Sequence, residues 1–175
     1  MNHATEILPG VIFHSFLSKK QKEKAGFLEH TLLVLQVSGQ FILETVSQKI
    51  SMKKGQMLLI RKHQLGQITK LPLPGENYQT IVITLQEELL RKIALEERIE
   101  VREKYNGPSN VLIPPNDYLQ GYFHSVLPYI HNPDKQITNA VGILKVKEGV
   151  HLLLHTMPGL TAFLFDFSEP HKIDL

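Results

Sequence analysis

Residues 27–71 read FLEHTLLVLQVSGQFILETVSQKISMKKGQMLLIRKHQLGQITKL, and the punctuation of this stretch decides the fold. A long apolar-rich run, Leu28 to Val37, stops at Ser38-Gly39-Gln40. Phe41 to Val46 and Gln48 to Met52 follow, then the turn Lys53-Lys54-Gly55-Gln56, then Met57 to Arg61 and Leu65 to Leu71. Apolar runs of about 4–8 residues separated by glycine-containing turns are the pattern of antiparallel hairpins. Gly39 and Gly55 stand at the turns, where a positive φ is needed. Four or five strands in about 45 residues leave no room for crossover helices, so the expected architecture is an antiparallel sandwich or small barrel.

On the N-terminal side, Val11 to Leu17 reads as an earlier strand. Lys19 to Lys24 reads as a solvated charged loop, with a nucleic-acid contact as the sharper alternative. On the C-terminal side, the loop 72–77 leads to a last long strand, Tyr78 to Leu85, rich in β-branched residues. The period then changes. Thr84 and Glu87 have the spacing of a capping box, and Leu89, Leu90, Ile93 and Ala94 recur at helical spacing, which predicts a helix near Glu87 to Arg98. Residues 106–115, with two prolines at 114 and 115, read as a linker or extended arm. A second helix is expected from about Asp117 to His131, kinked or ended by Pro128, and a third from about Gln136 to Thr156.

Seven of the twelve residues from Ile143 to Leu154 are aliphatic, a wider arc than one contact needs. Burial on two sides follows, one of them against a partner, with Val141, Leu144 and Val150 as the candidate interface. The aromatic cluster Phe163 to Phe167 is expected to dock back onto the body. The expected fold class is thus α+β, mainly β: an antiparallel barrel or jelly roll over residues 1–86, about three helices over 87–167, and the start of a linker over 168–175.

A net charge of +2 over 175 residues gives no general electrostatic case for binding nucleic acid or membranes. The absence of cysteine removes disulfides and thiolate chemistry and fits a reducing compartment. The first residues lack the pattern of a signal peptide, and no apolar run reaches bilayer length; a cytoplasmic location without a membrane partner is expected.

The β block resembles a cupin. Metal-binding cupins carry a His-x-His pair and a Glu before the glycine that ends the long strand, and a further His after the next strand. Aligning on Gly39 and Gly55 places Ala25, Phe27, Leu32 and Gly66 in those four slots. None is a metal ligand, so no metal and no cofactor is expected. His30 shares a strand face with Leu32, Val34 and Gln36 and could point inward as a ligand contact; the plainer reading is a histidine bonded to a neighbouring strand or loop. Glu44 and Arg61 could reach the same pocket, although a one-residue change in face assignment reverses that answer. His63 is expected to be exposed on a loop. His151 and His155 stand four apart on a helix but lack the intervening Glu of a His-Glu-x-x-His motif and a third ligand. No nucleophile–base pair, phosphate loop or paired carboxylates stand out, and no enzyme is expected.

The segment from Leu154-His155-Thr156-Met157-Pro158-Gly159 through Phe163-Leu164-Phe165-Asp166-Phe167 to Pro170 resembles the end of the regulatory domain in one branch of AraC-type transcription regulators. Residues 55–65 and 86–92 fit the same branch. The resemblance implies a non-catalytic, cupin-like domain that receives a signal, either a small-molecule effector or a regulatory protein. It also implies a homodimer, and DNA contact only through a helix-turn-helix domain beyond Leu175. The alternatives are a free-standing cupin enzyme and a small-molecule binding protein.

Overall fold

The computed structural model describes residues 4–25, 28–131 and 139–168. Among them, ten strands form two antiparallel sheets. The larger sheet runs β1 (Ala4–Leu8), β2 (Ile12–Leu17), β9 (Tyr78–Leu85), β4 (Thr31–Ser38), β7 (Met57–Ile60), β10 (Asn110–Ile113). The smaller runs β3 (Gln21–Ala25), β8 (Gly66–Leu71), β5 (Gln40–Glu44), β6 (Lys49–Met52). The result is a two-sheet antiparallel sandwich, not a closed barrel. Four helices accompany it: α1 (Glu87–Glu96), α2 (Asp117–His131), α3 (Asn139–Thr156) and α4 (Leu160–Phe165).

The unbroken apolar run of β4 has a simple cause: the larger sheet is covered on both faces. Leu33 and Leu35 face the helices, in a core with Ile81, Ile83, Tyr122 and Val150. Val34 faces the smaller sheet, in a second core with Phe41, Met52, Leu58 and Tyr78. β7 is buried at all four positions for the same reason. Inside the sandwich, buried Gln36 donates to the Ser38 carbonyl at 2.7 Å and accepts from the Thr80 hydroxyl at 3.0 Å. The buried Lys70 ammonium donates to the Ser15 hydroxyl at 3.2 Å.

Several expectations change. The lysine-rich stretch after Leu17 is not a loop: residues 21–25 pair with β8 as an edge strand, where the exposed Lys22 discourages pairing with another chain. The stretch 106–115 contributes β10, the opposite edge of the larger sheet. That edge is blunted by Gln48, whose side-chain amide accepts from the Asn110 amide and donates to its carbonyl, both at 3.1 Å. β1 was not foreseen. Thr84 remains inside β9, so it caps nothing; the N-cap of α1 is Gln86, whose side chain reaches the Gly10 carbonyl at 3.0 Å instead.

α2 begins as expected, with Asn116 capping it by accepting from the Leu119 amide at 2.8 Å. Pro128 lies within it, and the helix continues to His131. The expected start of the third helix, residues 136–138, lies outside the described residues. The inner face of α3 sets glycines beside Val146, Val150 and Leu153: a Cβ on Gly149 would sit 2.9 Å from the Tyr122 hydroxyl, which donates to the Lys145 carbonyl at 2.9 Å. The aromatic cluster is a short helix, α4, with Phe163 and Phe165 buried. Among the described residues, no helix is long and apolar enough to cross a membrane.

Candidate functional site

β7 ends where the sequence turns from Met-Leu-Leu-Ile to Arg-Lys-His-Gln, and the polar loop folds back on the start of β4. The Arg61 amide donates to the Ser109 carbonyl at 2.9 Å, and the His63 amide to the Leu28 carbonyl at 2.8 Å. His63 itself is exposed, with a φ of 65°. This fold-back brings Arg61 and Lys62 beside His30 and Thr31. β9 runs straight into α1 and delivers Glu87, and α4 delivers Phe163 and Asp166 from above. These elements enclose a cavity of about 10 Å³, close to the room one water needs, at the seam between sandwich and helices.

Two carboxylates close the seam. Glu87 opens α1, where the helix dipole favours an anion. It accepts from the Lys62 ammonium, and from Arg91 at 3.0 and 2.7 Å. The Lys62 hydrogen bond lowers its pKa; burial opposes that shift and Arg91 adds to it. Asp166 stands where the chain leaves α4. Its carboxylate accepts from the Tyr105 amide at 2.8 Å, the Ser168 amide at 3.1 Å and the Ser168 hydroxyl, and pairs with Arg61 at 3.4 Å. Burial pushes the Asp166 carboxyl up, but these hydrogen bonds and the Arg61 charge outweigh it and hold the pKa down to about 2. Two cations also stack: Arg61 lies 4.8 Å from the Tyr105 ring centroid and Arg91 4.4 Å from that of Phe167. His30 lines the cavity, and its Nδ1 is buried without a hydrogen-bond partner among the described residues.

Of the residues expected to share a pocket, the structure brings together only His30 and Arg61, and it does so at this seam. Val34 is in the sandwich core, and Leu32 packs on that core. Glu44 sits on the smaller sheet and pairs with Lys49 at 3.0 Å. His151 and His155 do not converge: the first faces Glu97 at 3.8 Å, the second lies edge-on to Tyr118. Among the described residues, no three His, Asp or Glu side chains are grouped to hold a metal. The interface candidates also separate. Leu144 is 64% exposed, but Val150 is fully buried in the chain's own core and Val141 is partly buried. Lys62, Glu87 and Asp166 escaped notice as site residues, although the two charges inside Phe165-Asp166-Phe167 and at the strand-to-helix junction were visible.

The seam's ion pairs imply a pH dependence. An Asp166 pKa lowered from 3.8 to about 2 contributes stability that is fully present above about pH 4 and is lost as pH falls through 2. Asp166→Asn is therefore expected to cost about 1–2 kcal/mol near neutrality. Its gap to the wild type should narrow between pH 4 and 2 in urea titrations. A gap constant over that range would contradict the assignment.

A sandwich with this helical layer is the fold of AraC-like transcription regulators. The chain aligns with a lysine-to-alanine variant of apo ToxT from Vibrio cholerae at a TM-score of 0.62 and 12% identity, covering 94% of this chain and 62% of that one. It aligns with the AraC-like transcriptional activator CuxR at a TM-score of 0.54 and 13% identity, covering 98% and 58%. A third alignment is with ToxT from Vibrio cholerae bound to (E)-4-(8-methylnaphthalen-1-yl)but-3-enoic acid, at a TM-score of 0.54 and 18% identity, covering 83% and 57%. The chain thus spans about three fifths of the regulators it matches. No curated protein sequence matches it. Residues 31–163 match the ExsA N-terminal regulatory domain family, and the chain belongs to that family.

Proposed function

We propose that this chain receives a signal and dimerises, without catalysing a reaction, and thereby controls a helix-turn-helix DNA-binding domain of the same AraC-type regulator. In this reading residues 1–86, completed by β10, are the sensing sandwich, the helices within 87–167 the dimerisation part, and 168–175 the start of a linker. One observation carries it: α3 turns an apolar side chain to solvent in the middle of its outer face. Leu144 is 64% exposed and Ile143 38%. Ala140, Leu144, His151 and His155 follow at spacings of four, seven and four, which places them on one stripe, as on a coiled-coil seam. Tyr118 of α2, 65% exposed, extends that side beside His155. A second copy related by a two-fold axis would cover the stripe in both chains at once.

The signal is more simply delivered at the surface than inside the sandwich, because Phe41, Met52, Leu58 and Tyr78 already fill that interior. A regulatory protein satisfies this condition, as does a small effector that docks at the seam. Sedimentation at micromolar concentration is expected to show a dimer. Leu144→Glu should give a folded monomer, with dissociation constants raised at least about 100-fold because the change is repeated across the two-fold. A wild-type monomer at all accessible concentrations would end the proposal.

A further inference from the structure

We infer that the movable element of this domain is the clasp around the Asp166 carboxylate, a polar hinge whose opening redirects the chain beyond Ser168 while α4 stays seated. For its consequence on DNA this inference rests on the regulator reading above. Two kinds of attachment meet at residue 166. Before it, Leu160, Phe163, Leu164 and Phe165 are each only 2–3% exposed, sunk into the core shared by the larger sheet and the helices. Expelling four large apolar side chains is far beyond what a bound effector supplies.

After it, the full burial of those side chains gives way to polar contacts and one half-buried ring, Phe167, at the edge of the core beside Phe165. Asp166 has left the helical conformation, with φ −78° and ψ 96°. Its carboxylate collects the Tyr105 amide, Arg61 and both donors of Ser168, so one group ties residues 166–168 to two other segments. The bonds to Ser168, two residues on, form a local turn. Phe167 is held next to it only partly buried, under Arg91. A clasp of charge-assisted hydrogen bonds is worth roughly a ten- to hundredfold population ratio, the size of ordinary allosteric couplings. Opening it strands no buried charge: Arg61 keeps the Tyr105 face, and the Glu87 carboxylate lines the same cavity.

Amide hydrogen exchange on the 175-residue chain tests the hinge without reference to DNA. In Asp166→Ala, and separately in Arg61→Ala, the Tyr105 and Ser168 amides are expected to exchange at least about tenfold faster. The Leu164 and Phe165 amides should keep their wild-type protection. Opening of α4 together with residues 166–168, or no change at Tyr105 and Ser168, would overturn the inference. In the longer protein, the same substitutions should change promoter affinity severalfold while promoter binding persists. Unaltered affinity would sink the clasp as a signal route and leave the regulator reading intact. A wild-type protein that binds no promoter would instead sink the regulator reading, with the exchange result standing by itself.

Discussion

Val150→Glu is expected to leave no cooperatively folded protein, whereas Leu144→Glu, six residues away on the same helix, leaves the fold intact. Val150 is fully buried on the inner face of α3, in one cluster with Val146, Leu153, Tyr122 and Ile83. Glutamate there must either hold a carboxylate in an apolar site, at several kcal/mol, or take up a proton at comparable cost. The valine's own burial, about 1.5–3 kcal/mol, is lost as well. The larger side chain must also find room in a layer so tight that Gly149 meets the Tyr122 hydroxyl. These losses approach the whole stability of a typical domain, about 5–15 kcal/mol. Urea titration followed by circular dichroism decides it: wild type and Leu144→Glu should melt cooperatively and Val150→Glu should not. A Val150→Glu protein with a normal transition would mean that α3 lies the other way round.

The contrast between these positions shows what periodicity can and cannot deliver. The width of the apolar arc on α3 was legible; within the chain only one side of it is buried, and Leu144 stays 64% exposed. Which residue faced which side was legible too: Lys145, Lys147, Glu148 and His151 fall on one half of the helix circumference, Leu144 lies among them, and Val146, Val150 and Leu153 lie opposite. Docking on the rest of the chain follows that phase, and Gly142 and Gly149 mark the inward face by close approach to Val11 and Tyr122.

The strands β4 to β9 were legible because glycine turns and apolar runs agree. β3 and β10 were not: an edge strand of lysines and four residues between proline-rich turns carry no periodic signal, and each becomes a strand only because a neighbour offers unpaired backbone groups. The site was half legible for a related reason. His30 and Arg61 stand near strand ends that the hairpin pattern brings together, whereas Asp166 reaches Arg61 across 105 residues of sequence. Nothing local announces such a contact.

Gly39→Ala should cost about 3–5 kcal/mol, and Gly55→Ala only about 1, although both glycines occupy the left-handed region. Gly39 has a φ of 73° and Gly55 one of 84°, so the conformational penalty is shared. What differs is space. A Cβ on Gly55 would have no heavy atom within 4 Å, whereas on Gly39 it would lie 2.8 Å from the Leu71 carbonyl oxygen and 3.0 Å from the Tyr78 Cα. Those are backbone atoms of β8 and β9, which cannot swing aside as a side-chain tip can. Gly39 is also where the chain passes from β4 in the larger sheet to β5 in the smaller, and its amide donates to the Glu76 carboxylate at 3.0 Å. A shift there separates the two sheets at their corner and loosens the core between Val34 and Phe41. Urea midpoints of the two variants, compared at equal m-value, measure the difference. Equal losses would show that left-handed strain alone, and not the close approach of three strands, makes glycine necessary at the corner.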